Sequence, residues 1–458
     1  MIYEDAVAYL ETFIDYEKKS SFDVKTAFKF DRIKKFLSLI GDPQKALSVI
    51  HVAGTKGKGS TACFIANILK EAGFRTGLYT SPHLADFRER IRIFDSTNTA
   101  EEKMAFGGMI LKQDLVDILV SLESFLDSFA QDHPDLGPLT FFEVVTAVAF
   151  KYFRDKNVDF AVLETGLGGR FDATNAADSM VTVITPISYD HEQFLGTTLS
   201  EIAFEKAGII KATNRRTPDG VSVCVNALQA KPVTEVLRRR FKSETATVFQ
   251  AGRDFCCKKL AGDLFSQDFF YQGLTGEPLF LKTRMLGTHQ IANASLGLAA
   301  CEALSLFGVK IKGEAMVRGI LKTFWPGRLE VVHTKPFIIL DGAHNADSAK
   351  RLGDFLNKEF KKFHKWFILG ASEDKNIKAI VESLEPLADR IILTRSKNPR
   401  AADPKGILQS YFHKKNFILT DSVEEAVGIL NKEIKPDDVA VVTGSLFVVG
   451  EARSLWQG

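Results

Sequence analysis

The feature that most constrains this chain is a glycine-rich segment between a strand pattern and a helix pattern. Residues 48–52 are rich in β-branched side chains, which predicts a short buried strand ending before Gly54. Apolar residues at helical spacing follow in 61–69. Glycines let backbone N–H groups close around phosphate oxygens, and a helix N-terminus favours an anion. The segment therefore predicts a phosphate-binding loop, in which Lys58 reaches the phosphates and Ser60 offers a hydroxyl to Mg²⁺.

The match to the usual phosphate-loop pattern is imperfect. Val52 stands where the first glycine of that pattern is expected, and an additional Gly59 separates Lys58 from Ser60. A plain glycine-rich connection with two solvated lysines is the alternative interpretation. The strand pattern before the segment and the helix pattern after it favour the phosphate loop.

Composition excludes several classes of protein. A chain of 458 residues is too long for one ordinary domain, and 45% hydrophobic with 25% charged residues is typical of soluble globular proteins. A formal net charge of +2 gives no reason to expect nucleic acid or a membrane surface as a partner. The first twenty residues lack a signal-peptide pattern, and the five cysteines lack metal-ligand spacing. We therefore expect reduced thiols and a cytoplasmic location.

Polar residues follow two further predicted strands. The strand pattern at 75–79 ends before Ser81, and the one at 159–163 ends at Glu164, ahead of three glycines. Open parallel sheets bind ligands at the carboxyl ends of their strands, so both residues are candidates for a shared site. The alternating segment 87–93 predicts an exposed strand face instead.

The second part of the chain predicts another α/β unit. Short strand-like runs between 246 and 285 indicate a small antiparallel excursion, and residues 324–328 are the best linker candidate. Strands at 337–340, 366–369, 390–393, 417–419 and 439–442 then alternate with helices. The predicted fold is α/β: a parallel-sheet domain with a phosphate loop over 1–326 and a Rossmann-like domain over 327–458.

Taken together, the motifs resemble folylpolyglutamate synthase, including its bifunctional form with dihydrofolate synthase activity, in the superfamily of the Mur ligases. The resemblance covers nearly the whole chain. It rests on GTKGKGS at 54–60, TSPHL at 80–84, LETGLGGR at 163–170, DH at 190–191, EKAGII at 205–210, HQIAN at 289–293, WPGR at 325–328, DGAHN at 341–345 and TGSL at 443–446.

The resemblance implies roles for individual residues. It implies catalytic residues at Lys58, Glu164, His191, Lys206 and His344. It implies ATP contacts by Gly54, Thr55, Gly57, Lys58, Gly59, Ser60, Asn293, Arg328 and Asp341. It implies substrate contacts by Thr140, Phe141, Phe142, Glu143, Phe171, Asp172 and Ala173, with Arg90 as a weaker candidate for anion binding.

The resemblance also implies two Mg²⁺ positions, with Ser60, Ser81, Glu164, His191 and Lys206 as ligands. In the family that lysine is carbamylated, which turns a cation into an oxygen ligand that Mg²⁺ prefers. Each of these side chains taken alone is compatible with an ordinary structural role, such as a turn residue or a solvated lysine. Their combined order along the chain favours the site.

The expected function is ATP-dependent addition of L-glutamate to folates through an acyl phosphate, with dihydropteroate as a further possible substrate. We expect a monomer whose partners are small molecules, namely ATP, glutamate and a folate or dihydropteroate. Domain closure is expected about residues 326–327, since ATP contacts come from both domains.

Two alternatives stay open at this point. One is another Mur-type amino-acid ligase, although the 53 residues before Gly54 are too few for the nucleotide-sugar domain of those enzymes. The other is a non-catalytic regulatory protein switched by a nucleotide.

Two departures from the family are visible. Lys56 stands where the family usually carries Asn, with little expected consequence, and Arg88 stands where Asn is frequent.

Overall fold

The computed structural model describes residues 1–17, 29–95, 106–212, 222–274, 276–411 and 417–456. Within these residues the strands form three sheets of seven, three and six strands. Every helix in this described part of the chain is too short or too polar to cross a bilayer.

The first sheet confirms the predicted parallel arrangement. Its strands are β1 (Val49–Ala53), β2 (Thr76–Tyr79), β3 (Ile91–Phe94), β4 (Phe160–Glu164), β5 (Ser179–Ile184), β6 (Ser222–Asn226) and β7 (Ala246–Gln250). Their order is β3-β2-β4-β1-β5-β6-β7, and only β3 runs antiparallel to its neighbour. β7 pairs with β6, so this run belongs to the main sheet and not to the predicted excursion.

Helices cover both faces of the first sheet. They are Tyr3–Glu11, Phe30–Leu39, Lys58–Glu71, Lys112–Asp132, Phe141–Asp155, Glu192–Leu195, Leu199–Ala207, Lys231–Ser243, Thr288–Ala303 and Gly313–Lys322. Helix Lys58–Glu71 buries Ile65, Ile68 and Leu69 in one core, and helix Phe141–Asp155 packs in another core. Strands buried on both faces need continuous apolar runs, which explains the β-branched pattern read from the sequence.

Some predicted boundaries were wrong. The helical spacing of apolar residues in 5–16 and 28–40 predicts two helices over those ranges. The first ends at Glu11, and the second is Phe30–Leu39, with residue 28 outside the described residues. The alternating segment 87–93 is a 3-10 turn, Phe87–Arg90, followed by β3. Glu89, Arg90 and Arg92 are buried and not exposed, because each finds a partner inside the protein. Arg88 is half-buried and pairs with Asp86.

The two smaller sheets complete the fold. β8 (Cys256–Gly262), β9 (Gln267–Gln272) and β10 (Pro278–Thr283) form the antiparallel excursion. The third sheet contains β11 (Glu330–Thr334), β12 (Phe337–Leu340), β13 (Lys365–Leu369), β14 (Arg390–Leu393), β15 (Phe417–Leu419) and β16 (Val439–Thr443), in the order β11-β12-β16-β13-β14-β15. Its helices are Ala346–Glu359, Ile377–Leu384, Pro404–Tyr411, Val423–Glu433 and Leu446–Trp456. The predicted Rossmann-like unit is confirmed, with the antiparallel β11 as an addition.

Strand register positions the site. Val52 pairs with Glu164 in the parallel pair β1–β4, and β2 lies on the other side of β4. The carboxyl ends of these three strands therefore meet at one edge of the sheet. Gly54, Ser81 and Glu164 follow or end them, so this edge gathers the residues that the sequence singled out.

Candidate active site

Two glycines of the segment 54–60 are required by its backbone. Gly54 has a φ of 148°, and a Cβ there would lie 2.0 Å from the Thr185 hydroxyl oxygen. Gly57 has a φ of 83°, and a Cβ there would lie 2.2 Å from Asn293 Oδ1. Gly57 is also the N-cap of helix Lys58–Glu71, which begins three residues earlier than the apolar pattern indicated.

Two amides of the loop are engaged by the protein itself. Thr55 N–H and Lys56 N–H donate to the Pro186 carbonyl at 3.0 and 3.2 Å, and the Thr55 hydroxyl donates to the Ser188 carbonyl at 3.0 Å. The first turn of a helix carries N–H groups without partners inside the helix. Anion binding by this loop therefore rests mainly on the helix N-terminus after Gly57.

Glu164 lies directly beside this helix N-terminus. Lys58 Nζ is 4.0 Å from Glu164 Oε1, and Ser81 N–H donates to Glu164 Oε2 at 3.3 Å. Burial raises the pKa of Glu164, while Lys58 and the Ser81 amide act in the opposite direction. A buried carboxylate next to a lysine and a helix N-terminus forms a site with both cationic and anionic groups at one point.

A second polar group lies on the chain after β5. His191 Nε2 is 3.9 Å from Asp190 Oδ1, and Lys375 Nζ is 3.5 Å from the same oxygen. Although burial opposes them, His191 and Lys375 lower the pKa of Asp190. Burial and nearby cations lower the pKa of His191, which keeps its ring neutral at pH 7.

Lys206 is buried behind the loop. Its side chain is 4% exposed, and Nζ donates to the Gly54 carbonyl at 2.8 Å. Burial and the charge of Lys58 lower the pKa of Lys206 to about 7. A large fraction of this amine is therefore uncharged at neutral pH.

The third sheet contributes Asp341 and His344. Asp341 accepts hydrogen bonds from Leu329 N–H at 2.9 Å and Ala343 N–H at 3.0 Å. His344 Nδ1 lies 2.8 Å from the Gly342 carbonyl, which can only accept, so Nδ1 carries the hydrogen and Nε2 carries the lone pair. Burial lowers the pKa of His344 to about 4, so this tautomer persists at pH 7.

One cavity of about 560 Å³ connects these groups. Its lining residues from the first part of the chain include Lys58, Ser60, Ser81, Glu164, His191 and Asn293. The lining from the second part includes Arg328, Asp341 and His344. The cavity lies between the first and third sheets, and ATP contacts by these residues stay a prediction. Gly54 and Lys206 lie behind the lining.

The helix Phe141–Asp155 brings some predicted substrate residues to the same cavity. Thr140, Phe142 and Glu143 line it, whereas Phe141 is 4% exposed and packs in the core. Glu143 accepts from Arg32 Nε at 2.8 and 2.9 Å and caps its own helix through Thr140. Glu143 thus has a clear structural role at this position.

Arg90 lies in a buried cluster next to this wall. Its guanidinium donates to Glu17 Oε1 at 3.0 Å and to His83 Nδ1 at 2.8 Å. Its side chain is 2% exposed, so its charge is matched within the protein. Direct substrate contact by Arg90 stays a prediction.

Phe171, Asp172 and Ala173 are further predicted substrate residues. All three line the cavity, and Phe171 is 39% exposed with the Arg170 guanidinium 4.0 Å from its ring centre. Asp172 caps the 3-10 turn Ala173–Ala176 and is 2% exposed. The predicted pterin residues other than Phe141 therefore share one cavity with the phosphate loop.

The sequence missed a contact that joins the loop to the third sheet. Lys56 Nζ donates to Asp347 Oδ2 at 2.6 Å and to Asn345 Oδ1 at 2.9 Å, across 291 and 289 positions of the chain. The same Asn345 donates to Asp190 Oδ2 at 3.4 Å. The expectation of little consequence for Lys56 does not fit this ion pair. The sequence signal for this contact was the lysine at position 56, where the family usually carries Asn.

A cationic wall was also missed. Arg351, Lys375 and Arg400 line the cavity from the third-sheet part of the chain. Arg400 Nη1 is 3.3 Å from Asp374 Oδ1, but its buried Nε has no hydrogen-bond partner among the described residues. A buried guanidinium N–H without a partner is costly, which indicates a place where an anionic ligand binds.

The acidic residues of the cavity do not form a ready-made metal cage. In the ranges that the structure describes, no group of three His, Cys, Asp or Glu side chains converges to hold a metal ion. Glu164 is the buried carboxylate closest to the loop, and hydroxyls of Ser60 and Ser81 line the same cavity. Any cation here would need further oxygens from a bound ligand.

Comparison with known proteins identifies the family. The Mur ligase middle domain profile matches residues 140–301, and the "Mur ligase, glutamate ligase domain" profile matches residues 327–446. The chain is 33% identical over 432 residues to the dihydrofolate synthase/folylpolyglutamate synthase of Bacillus subtilis, covering 92% of this chain and 93% of that protein. The chain belongs to the folylpolyglutamate synthase and dihydrofolate synthase family.

Solved structures of this family are similar over the full length. The Mycobacterium tuberculosis folylpolyglutamate synthase complexed with ADP superposes with a TM-score of 0.87 and 30% identity, covering 100% of this chain and 98% of that one. The E. coli protein in complex with DHPP and ADP gives a TM-score of 0.82 and 26% identity, covering 100% and 98%. These matches to folylpolyglutamate synthases do not favour either alternative left open by the sequence.

Proposed function

We propose that this chain uses ATP to add L-glutamate to folates, and to dihydropteroate as a second substrate. The observation that carries the proposal is the single cavity in which Lys58 and Glu164 face Arg328, Asp341 and His344. A nucleotide held between the two parts of the chain would meet the acceptor carboxylate and glutamate in the same space. The ADP in the M. tuberculosis relative supports the nucleotide.

The ATP phosphates would lie on the loop. Lys58 and the amides after Gly57 supply positive charge there, and the helix dipole adds to it. The remaining contacts proposed for ATP come from Gly54, Thr55, Gly59, Ser60, Asn293, Arg328 and Asp341. Gly54 acts by allowing the turn, because it lies outside the cavity lining.

Mg²⁺ fits the donor set only with ATP present. Glu164 with Ser60 and Ser81 would hold one ion, and His191 with Glu164 and Lys206 would hold a second. Mg²⁺ commonly keeps waters and takes one or two carboxylates plus substrate phosphates, which agrees with a site that has no complete cage of its own. When bound, the ion neutralises charge on the transferred phosphate.

We further propose that Lys206 is carbamylated in the active enzyme. An uncharged amine reacts with CO₂, and a lysine with a pKa of about 7 supplies that form at neutral pH. The carbamate would also replace a buried cation by an oxygen donor. Its position beside Gly54 would keep it close to the loop.

The chemistry requires activation, because a carboxylate is a poor acylating agent. A carboxylate oxygen of the folate attacks the γ-phosphorus, the bond to the β–γ bridging oxygen breaks, and ADP leaves. The amine of glutamate then attacks the acyl carbon, loses a proton, and expels phosphate. His344 lines this cavity, and the lone pair on its Nε2 would accept a hydrogen bond from the amine. Catalysis here is mainly positioning and charge neutralisation.

The pterin ring would bind against the aromatic residues of the cavity. Phe142, Phe171 and Ala173 line it and offer apolar surface, and Asp172 offers a carboxylate for ring N–H groups. Thr140 and Glu143 lie at the edge of this subsite. The name of the B. subtilis relative, dihydrofolate synthase/folylpolyglutamate synthase, supports both a folate and dihydropteroate as substrates here.

Glutamate carries two carboxylates and would bind the cationic wall. Lys375 and Arg400 are the cavity-lining cations closest to Asp190 and Asp374, and Arg400 Nε has no partner in the described part of the chain. A carboxylate would complete its hydrogen bonding. We place the incoming amino acid there for this reason.

The domain boundary is proposed at Pro326–Gly327, where the first-sheet part ends. Gly327 has a φ of 70° and its N–H donates to Glu330, which pairs with the buried Arg453 of the last helix. This arrangement would let the second domain move about the linker. We also propose a monomeric enzyme acting in the cytoplasm, with its cysteines reduced.

The test is ADP release by the full chain with Mg²⁺. Tetrahydrofolate and dihydropteroate are each assayed with and without glutamate, and turnover is expected only with both the pterin compound and glutamate. Lys58→Ala should abolish ADP release while circular dichroism stays unchanged. Full turnover by Lys58→Ala would refute the loop assignment, and ATP consumption without glutamate would refute the ligase.

A further inference from the structure

A hydrogen-bonded series leads from the centre of the first sheet to the cavity. His51 lies on β1 with no exposed surface, and its Nε2 is 2.8 Å from Thr174 Oγ1. Thr174 is also fully buried, and its hydroxyl donates to Asp172 Oδ1 at 2.5 Å. Asp172 is the last member of the series and lines the cavity.

With Asp172 ionised, the direction of each hydrogen in the series follows from the contacts. Burial raises the pKa of Asp172, and the donors from Thr174, Leu167 and Gly166 act against this. A carboxylate only accepts, so the Thr174 hydroxyl hydrogen points to Asp172. The oxygen of Thr174 then has only lone pairs for His51, so His51 Nε2 must carry a hydrogen and donate. Burial lowers the pKa of His51 to about 3, so the ring is neutral and Nδ1 carries no hydrogen at pH 7.

The series fixes one oxygen of the carboxylate. Asp172 Oδ1 accepts both the Thr174 hydroxyl and the Thr174 N–H, the latter at 3.0 Å. Oδ2 accepts Leu167 N–H at 3.0 Å. The Gly166 N–H is a further donor to this carboxylate, so the protein fixes the carboxylate plane on both oxygens before a ligand donor meets it.

We propose that His51 and Thr174 are positioning residues that orient the Asp172 carboxylate for the pterin ring. The inference rests on the proposed function, in which Asp172 contacts that ring. The two residues touch no substrate, and they act by locking the rotation of the carboxylate plane. Recognition of a ring with adjacent N–H donors requires a carboxylate in a defined plane.

A cap of the 3-10 turn alone would not require His51. Capping is achieved by the Thr174 N–H bond to Asp172, which needs no side chain at position 51. An apolar residue would fill a fully buried strand position at lower cost, since His51 Nδ1 has no partner among the described residues. We therefore assign His51 to orienting the hydroxyl of Thr174.

The experiment measures steady-state kinetics of the full enzyme with Mg²⁺, ATP, glutamate and tetrahydrofolate. Thr174→Val removes the hydroxyl at nearly constant volume, and Thr174→Ser keeps it. We expect Thr174→Val to raise the KM for tetrahydrofolate about tenfold or more, with the KM for ATP within about twofold of wild type. Thr174→Ser should stay within about threefold.

A second pair tests the histidine. His51→Leu removes the donor, and His51→Gln keeps an N–H at a similar reach. His51→Leu should raise the same KM, and His51→Gln should restore most of the affinity. The double variant His51→Leu/Thr174→Val should be no worse than Thr174→Val alone, because both act on the same carboxylate. If Thr174→Val does not fold, the KM values of the two His51 variants test the positioning role. A KM for tetrahydrofolate that is the same in His51→Leu and His51→Gln would overturn it.

The outcomes separate this inference from the function on which it rests. Asp172→Asn is measured in parallel. An unchanged KM for tetrahydrofolate in Asp172→Asn overturns the pterin contact and, with it, the positioning role. A raised KM in Asp172→Asn with an unchanged KM in Thr174→Val, or an equal rise in the KM for ATP, overturns the positioning role alone.

Discussion

The ion pair between Arg32 and Glu143 offers the sharpest test of how the substrate wall is held. Arg32 belongs to helix Phe30–Leu39 and Glu143 to the first turn of helix Phe141–Asp155. Their side chains are 4% and 9% exposed, and the guanidinium donates to both carboxylate oxygens at 2.8–2.9 Å. Burial raises the pKa of Glu143, and Arg32 acts against this.

The expected effect of Arg32→Met follows from this burial. Methionine fills a similar volume but leaves Glu143 buried without its cation. Removing one partner of a buried ion pair costs about 3–5 kcal/mol, because the remaining charge is not compensated. The Tm of the first-sheet part would fall by roughly 5–10 °C, because a given loss of free energy shifts the Tm least in large domains.

Differential scanning calorimetry of the intact chain measures this shift. The transition of the first-sheet part should move, while the third-sheet part should unfold as in wild type if the two are separate transitions. Arg32→Met/Glu143→Leu is the matched control and should recover most of the loss, although it removes the cap of Thr140. A fall in Tm below about 2 °C in Arg32→Met would show that the buried Glu143 carboxylate does not depend on Arg32. Substrate contact would then be the main explanation for the burial of Glu143.

Four further predictions concern the cavity. Lys56→Met and Asp347→Asn should each raise the KM for ATP two- to fivefold. The coupling energy between the two residues should be about 0.5–1 kcal/mol, because Asp347 is 45% exposed and solvent weakens the ion pair. Purely additive effects in a double-mutant cycle would contradict an interaction between them. Lys206→Ala should lose activity that formate or acetate partly restores, and wild-type turnover in the plain variant would exclude the carbamate. Arg400→Gln should raise the KM for glutamate about tenfold or more at an unchanged KM for ATP, as expected for a lost charged hydrogen bond. The pKa of His51 falls from 6.5 to about 3 on folding, so the unfolded chain binds a proton before the folded chain does as the pH drops. The free energy of unfolding of wild type should therefore fall by about 2 kcal/mol more than that of His51→Gln between pH 7 and pH 5. Urea titrations of both proteins at the two pH values measure this difference.

The fold was largely predictable because local patterns determined it. The β-branched runs that became β1 and β16, and the apolar run that became β4, are buried along their whole length, and such runs are typical of parallel strands. The wrong predictions concern segments whose structure depends on contacts with distant parts of the chain. The segment 87–93 alternates like a surface strand, yet Glu89 caps the turn from inside and Arg90 pairs with Glu17.

The site was predictable to the extent that its residues lie at strand ends. Glu164 and Ser81 could be placed together, because the carboxyl ends of neighbouring parallel strands meet. Their neighbours from the third sheet could be named only through the family resemblance. The sequence has no local signal for which helix N-terminus faces the loop, so Asp347 and Arg400 went unnoticed.

The lysine at position 56 illustrates why a departure from a family pattern needs the structure for its interpretation. In the sequence, Lys56 is one more charge in a glycine-rich loop, and the loop amides alone predict phosphate binding. In three dimensions its own N–H is already bound by Pro186, and its ammonium reaches Asn345 and Asp347 at the start of helix Ala346–Glu359. The charge therefore acts between the two parts of the chain and not on the loop itself. If closure of those parts accompanies each turnover, the family's asparagine and this lysine differ in how strongly they hold the closed state, which a comparison of Lys56→Asn with Lys56→Met at low and high salt would measure.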